Sequence, residues 1–156
     1  MRVQYLRDVH EANRFLKVAI FGGGGGVGSS IAYSLVAGAR VDEIVLIDDL
    51  QNIVASHVMD LQDASALGYA QTIRSGVADD ALDAHVVVIS AGVPLRCSDS
   101  RSTYLDSNAA IVKSIVRPLA GAGWDGVIVL MTNPVDALLT WIHQEAGFDR
   151  RGRPTL

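Results

Sequence analysis

The chain has 156 residues and a formal net charge of −4, and 49% of its residues are hydrophobic. This length corresponds to one domain that can bury a substantial core. The acidic balance, without a basic block, argues against a nucleic-acid partner or an anionic membrane surface, and no apolar run reaches the ~20 residues of a membrane-spanning helix. The single cysteine, Cys97, excludes an internal disulfide framework and a cysteine cluster for zinc, so we expect no metal site.

The first 16 residues are charged, only mildly periodic and without the apolar segment of a signal peptide. We expect them to form an N-terminal arm in a soluble, cytoplasmic protein. Residues 17–49 carry the strongest pattern in the chain. Val18–Phe21 is a short apolar run of the kind found in buried parallel strands, and a glycine-rich turn, a helical pattern and a second apolar run, Ile44–Ile47, follow it. Gly38 is expected to cap the helix.

The glycine-rich turn matches G-x-G-x-x-G as Gly23, Gly25 and Gly28, and it matches G-x-x-G-x-x-G as Gly22, Gly25 and Gly28. In such a turn one glycine permits the tight bend, one lets backbone N–H groups approach a pyrophosphate, and one lets the helix pack against the strand. A flexible linker is the alternative, but the preceding strand and the following helix favour a dinucleotide site. The predicted cofactor contacts in this turn are Gly22, Gly23, Gly25, Gly26, Val27 and Gly28.

Two acidic residues close the second apolar run. Asp48 follows Gly28 by 20 residues, which is the spacing at which a carboxylate accepts hydrogen bonds from an adenosine ribose. Asp49 stands beside it and would repel a 2′-phosphate. The pair therefore predicts NAD rather than NADP as the cofactor.

The rest of the chain alternates between helical and strand patterns. Pro118 lies inside the third helical pattern and is expected to kink or end that helix. The alternation predicts an α/β fold with a doubly wound parallel (Rossmann) sheet in the strand order 3-2-1-4-5. The expected elements are a helix over 52–64, strands over 71–75 and 85–90, a helix from residue 103, a strand over 126–131 and a helix from 134 to 147.

That strand order brings four features to one edge of the sheet. The glycine turn, Asp48, Gly92 and Asn133 all follow the carboxyl end of a predicted strand. Ligands of open parallel sheets bind in the crevice outside those ends, where the strand order reverses. Ala91 and Gly92 are small enough to allow a cofactor to approach the backbone closely.

Six stretches of the chain resemble the NAD-binding half of the lactate/malate dehydrogenase family, the 2-hydroxy acid dehydrogenases, over about residues 17–149. The resemblance implies NAD, a small 2-keto or 2-hydroxy acid and a homo-oligomer. It also implies cofactor contacts from Ala91, Gly92, Asn108, Met131 and Asn133. The stretches are Gly22–Tyr33, Val45–Asp48, Met59–Ala64, Val86–Pro94, Ser100–Arg101 and Thr132–Asp136.

The resemblance also implies three substrate contacts. Arg101 would be the catalytic loop arginine that polarises the substrate carbonyl, and Asn133 would bond the substrate beside the nicotinamide. Leu95 occupies the position that distinguishes the substrate's far end, which favours an apolar 2-keto acid. Arg96 is adjacent, so a loop shifted by one residue would instead place a guanidinium there.

The family's second domain supplies a proton-donating histidine and an arginine that holds the substrate carboxylate. We expect residues 150–156 to be a truncated tail where the family's next strand would start, so this chain alone should be inactive. Two hypotheses follow. The chain is the cofactor half of a dehydrogenase, or it is a self-standing NAD-binding module without turnover, such as a sensor or partner subunit.

Overall fold

The computed structural model describes residues 15–66, 71–94 and 101–148. They form a five-stranded parallel sheet in the order β3-β2-β1-β4-β5, which confirms the predicted doubly wound α/β fold. The strands are β1 (Lys17–Phe21), β2 (Glu43–Ile47), β3 (Thr72–Ser75), β4 (Val86–Ile89) and β5 (Val127–Leu130). The helices are α1 (Gly26–Gly38), α2 (Gln51–Ser65), α3 (Arg101–Gly121) and α4 (Val135–Glu145), with a 3₁₀ turn at Ala78–Ala81.

Each face of the sheet is covered by its own pair of helices. In β1, Val18 and Ile20 belong to the core that contains the buried residues of α1 and α2. The alternate residues of the same strand, Ala19 and Phe21, belong to the core that contains those of α3 and α4. Successive side chains of a strand point to opposite faces, so the continuous apolar runs of the sequence are those of strands buried on both sides.

The cap predicted at Gly38 was wrong, and of the two alternatives predicted for Pro118, a kink or an end of the helix, the end was wrong. Helix α3 continues three residues past Pro118, because this proline lies near the helix end and on its exposed side, where the missing N–H leaves one carbonyl accessible to water. Gly38 is the last residue of α1 rather than its cap. Ala39 takes the left-handed conformation instead (φ 47°), and its N–H donates to the Val36 carbonyl.

A chain of charged side chains begins at the amino-terminal ends of β1 and β2, opposite the glycine turn, and continues through Arg74 in β3 to Asp80. Lys17, almost fully buried, donates to Asp83 at 2.5 Å and lies 4.0 Å from Glu43. Arg74 donates to Glu43 at 2.8 Å and to Asp80 at 2.9 Å. The hydrogen bonds from Arg74 and from the Val77 N–H lower the pKa of Asp80, and the bond to Asp80 raises the pKa of Arg74.

Helix lengths and hydropathy bear on the membrane question. None of the helices within the described ranges is both long and apolar enough to cross a membrane.

Candidate cofactor site

The loops that follow the carboxyl ends of the strands lie along one edge of the sheet, and the site at this edge is here called the strand-end crevice. It is formed by residues 22–28 after β1, 48–49 after β2, 90–94 after β4 and 131–134 after β5. β1 pairs with β2 on one side and with β4 on the other, so the chain changes direction across the sheet at this point. All four predicted features therefore meet at the topological switch point.

The glycine turn is packed so tightly that side chains are excluded at two positions. Gly22 has φ +85°, and a Cβ there would lie 2.5 Å from the Ala91 nitrogen. A Cβ at Gly28 would lie 2.2 Å from the Gly22 carbonyl oxygen. Gly22 thus makes the tight bend between β1 and the crevice, and Gly28 allows α1 to pack against that bend. The tight bend and the close helix packing are two of the three roles predicted for the glycines of this motif.

The other side of the same turn is open. A Cβ at Gly25 would approach nothing closer than the Gly22 carbonyl oxygen at 3.4 Å, and one at Gly26 would meet nothing within 4 Å. Gly25 is the N-cap of α1 and has no side chain that could accept from the first-turn N–H groups. Those donors and the helix dipole are therefore available to an anion, so the residues present fit a dinucleotide pyrophosphate.

Asp48 is placed between the glycine turn and the start of α2. Its Oδ2 accepts from the Gly24 N–H and its Oδ1 from the Leu50 N–H, both at 3.0 Å. The carboxylate is only partly buried, and each oxygen has a second lone pair. Asp48 can therefore hold the turn and still accept hydrogen bonds from a ribose. The bonds to Gly24 and Leu50 were not predicted from the sequence.

Two small hydroxyl side chains that were not among the predicted site residues hold the other half of the crevice together. Ser90 Oγ donates to the Phe21 carbonyl at 2.9 Å and so ties the end of β4 to β1. Thr132 Oγ1 donates to the Ala91 carbonyl at 2.7 Å and ties the end of β5 to β4. Their positions were the available signal: Ser90 ends one predicted strand and Thr132 directly follows another, where shielded hydroxyls must find backbone partners.

Asn108 lies in α3 and is fully buried. Its Oδ1 accepts from the Val93 N–H at 2.9 Å, and its Nδ2 donates to the Asn133 carbonyl at 2.7 Å. The structure thus places Asn108 beneath the loops after β4 and β5. Its contact with a cofactor remains a prediction from the family resemblance.

The remaining predicted site residues have different outcomes. Val27 is exposed at the start of α1, and Met131 and Asn133 are exposed after β5, all along the crevice. Arg101 is the first residue of α3, but its side chain lies outside the described part of the chain, as does Leu95. The predicted substrate contacts of Arg101, Leu95 and Asn133 therefore stay predictions.

The three histidines in the described ranges lie away from the crevice. His85 is at the amino-terminal end of β4, where its Nδ1 accepts from the Lys17 N–H at 3.1 Å. His143 lies near the end of α4, with Nδ1 2.8 Å from the Phe148 carbonyl oxygen, and His57 lies midway along α2. Across the same ranges, no three potential ligands from His, Cys, Asp and Glu are grouped so as to hold a metal ion.

The parallel sheet, the glycine turn and the acid after β2 define a Rossmann dinucleotide-binding domain. The sequence profile of the NAD binding domain of lactate/malate dehydrogenase matches residues 16–152. The chain therefore belongs to the lactate/malate dehydrogenase family, whose NAD-binding domain it contains, and NAD is its cofactor.

Curated relatives give the same result. L-lactate dehydrogenase 2 of Lactiplantibacillus plantarum is 41% identical over 134 residues, which cover 86% of this chain and 43% of that protein. L-lactate dehydrogenase of Lactobacillus delbrueckii subsp. bulgaricus is 39% identical over 129 residues, which cover 83% of this chain and 42% of that protein. The chain thus spans less than half the length of the relatives it matches.

Solved structures show the same partial match. The minor L-lactate dehydrogenase of Enterococcus mundtii, in a ligands-bound form, superposes with a TM-score of 0.81 at 35% identity, over 88% of this chain and 44% of that one. The malate dehydrogenase of Aeropyrum pernix superposes with a TM-score of 0.76 at 27% identity, over 86% and 44%. Lactate and malate dehydrogenases therefore both share this domain.

Proposed function

We propose that this chain is the cofactor half of an NAD-dependent 2-hydroxy acid dehydrogenase, which transfers hydride between NAD(H) and a small 2-keto or 2-hydroxy acid. One observation carries the proposal. The glycine turn, Asp48, Gly92 and Asn133 line a single crevice, whose open side is the first turn of α1. The family membership and the lactate and malate dehydrogenases among the relatives support the same activity.

The crevice divides the cofactor into two halves. Asp48 lies after β2, so the adenine ribose belongs on that side, and the pyrophosphate belongs at the open N-terminus of α1. The nicotinamide half then lies over the carboxyl ends of β4 and β5, beside Gly92 and Asn133. When bound, NADH supplies the hydride for reduction of the keto acid.

Two residues of this chain would act on the substrate. The Arg101 guanidinium, at the start of α3, would stabilise the negative charge that develops on the carbonyl oxygen. The Asn133 side chain, exposed at the crevice, would donate to the substrate and fix it beside the nicotinamide. We also propose that Leu95 selects an apolar 2-keto acid, because a second carboxylate beside it would be left without a cation.

The proposal also covers the oligomeric state and the location of the protein. The outer surface of α2 exposes Ile53 (43%) and Met59 (67%), which would be covered in a homo-oligomer. We also propose that the protein works in the cytoplasm. Light scattering of purified protein would test the assembly, and a monomer at all concentrations would refute it.

A chimera tests the dehydrogenase activity directly. Residues 17–148 of this chain would replace the aligned part of the Lactiplantibacillus plantarum relative. NADH oxidation would be followed at 340 nm with pyruvate and with 4-methyl-2-oxopentanoate. We expect turnover that Arg101→Gln lowers by about 10²-fold or more, whereas Arg117→Gln, an exposed arginine on the same helix, leaves it unchanged. A folded chimera that binds NADH but reduces no 2-keto acid would refute the activity.

The cofactor assignment has its own test. Asp48→Ser should weaken NADH binding by about 1–3 kcal/mol, because a buried ribose hydroxyl loses its acceptor. Asp49→Ser, at the neighbouring exposed position, serves as the matched control and should change NADH affinity little. Equal NADH affinities of wild type and Asp48→Ser in titration calorimetry would show that Asp48 does not hold the ribose.

A further inference from the structure

Asn108 is one of four buried polar or charged residues in the described ranges, and it is completely shielded from solvent, at 0% exposure. Its side-chain amide both accepts and donates a hydrogen bond: Oδ1 accepts from the Val93 N–H, and Nδ2 donates to the Asn133 carbonyl. These two bonds also fix the orientation of the amide, because a flipped amide would set N–H against N–H and oxygen against oxygen.

The partners of Asn108 belong to two different loops of the crevice. Val93 lies in the loop between β4 and α3, and Asn133 lies in the turn between β5 and α4. Thr132 already joins the bases of these loops through the Ala91 carbonyl. Asn108 joins them two residues further from β4, at the part that faces the nicotinamide half of the crevice.

The backbone of Gly92 packs against the Asn108 side-chain amide. A Cβ at Gly92 would lie 3.0 Å from Asn108 Oδ1 and 3.1 Å from Thr132 Cγ2. Asn108 therefore supports one crevice loop from below and holds the other at a fixed distance from it. By contrast, on the adenine side of the crevice Asp48 accepts from the Gly24 and Leu50 N–H groups.

We infer that Asn108 is a positioning residue, which sets the spacing of the β4 and β5 loops and thereby shapes the nicotinamide half of the site without shaping the adenine half. This inference rests on the proposed placement of the nicotinamide over β4 and β5. It assigns Asn108 an action through Val93, Gly92 and Asn133.

Two ligands separate the halves of the site. NADH carries the nicotinamide and ADP-ribose lacks it, so the ratio of their affinities measures the contribution of the nicotinamide half. Titration calorimetry of the full 156-residue chain should show that Asn108→Ala weakens NADH binding about tenfold, the loss typical of one or two hydrogen bonds, and leaves ADP-ribose binding unchanged. Ser114→Ala is the matched control, since Ser114 is exposed on the same helix and bonds only within it.

Hydrogen exchange of the ligand-free protein measures directly whether Asn108 holds the Val93 N–H. The Val93 amide should lose protection in Asn108→Ala and keep it in Asn108→Asp, which retains the acceptor for Val93 but places an oxygen against the Asn133 carbonyl. Asn108→Asp should nevertheless lose NADH affinity relative to ADP-ribose. It also carries the test should the alanine variant fail to fold.

Three results would overturn the inference. Equal losses of NADH and ADP-ribose affinity would indicate general destabilisation. Unchanged NADH affinity in both variants would show that the loops hold their spacing without Asn108. If wild type does not bind NADH more tightly than ADP-ribose, then the placement of the nicotinamide half is wrong, and the proposed function fails together with the inference.

Discussion

Gly28→Ala is expected to lower both the stability of the domain and its affinity for NADH. The added Cβ would lie 2.2 Å from the Gly22 carbonyl oxygen, whereas a close carbon–oxygen contact needs about 3.3 Å. Either α1 or the bend at Gly22 must therefore move by about 1 Å. Overpacking of this kind costs about 1–3 kcal/mol, which in a domain of this size lowers the melting temperature by about 2–12 °C.

Two other glycines of α1, at its opposite ends, provide controls that separate the effect on packing from the effect on NADH binding. Gly38→Ala adds a methyl group that meets nothing within 4 Å at the far end of α1. It should raise stability by about 0.4–1 kcal/mol and leave NADH affinity unchanged. Gly26→Ala also meets no protein atom, but its methyl group occupies the open side of the turn, so stability should hold while NADH affinity falls.

Thermal unfolding and titration calorimetry of the three variants check this reasoning. The expected pattern is loss of both properties in Gly28→Ala, loss of affinity alone in Gly26→Ala, and loss of neither in Gly38→Ala. A Gly28→Ala protein with wild-type melting temperature and affinity would refute the close packing of α1 on the turn.

Three further predictions concern acid stability, turnover and specificity. The bonds from Arg74 and Val77 lower the folded-state pKa of Asp80 below its usual 3.8, so they stabilise the fold above pH 3.8 and are lost as the pH falls through the folded pKa. Asp80→Asn should therefore flatten the drop in melting temperature on acidification, and an unchanged drop would contradict this. The 156-residue chain alone should not consume NADH with pyruvate, oxaloacetate or 4-methyl-2-oxopentanoate, because no histidine in the described ranges lies at the crevice to supply a proton; robust turnover at 340 nm would disprove it. In the chimera, Leu95→Arg should shift kcat/KM towards oxaloacetate, whereas an existing preference for oxaloacetate that Arg96→Ala abolishes would show that the loop register is displaced by one residue.

The strand order and the crevice were predictable because they follow from local patterns. Val18–Phe21 and Ile44–Ile47 are apolar without alternation, which identifies strands covered on both faces. The glycine spacing and Asp48 then depend only on what lies directly after those strands. Each of these signals is contained in a few consecutive residues or in one fixed spacing.

The polar contacts that hold the crevice together were not predictable in the same way. Asn108 reaches Val93 and Asn133, and Ser90 reaches Phe21, across separations of 15, 25 and 69 residues. The identity of a single residue does not indicate a hydrogen-bond partner that lies so far away in the sequence. The predicted cap of α1 was displaced by one residue, since Gly38 still belongs to the helix and Ala39 takes the left-handed conformation.

The buried Lys17 has a consequence for the alignment of β1 within the sheet. In a strand that is polar on one face, a slip of one residue is opposed because it buries polar groups and exposes apolar ones. Val18–Phe21 is apolar on both faces, so its own pattern opposes such a slip only weakly. Lys17 marks the start of the strand, because its ammonium must meet Asp83 and its N–H must meet His85. A slip would bury that charge without a partner. The position of the glycine turn, five residues further along, is thus set by an ion pair at the opposite end of the sheet.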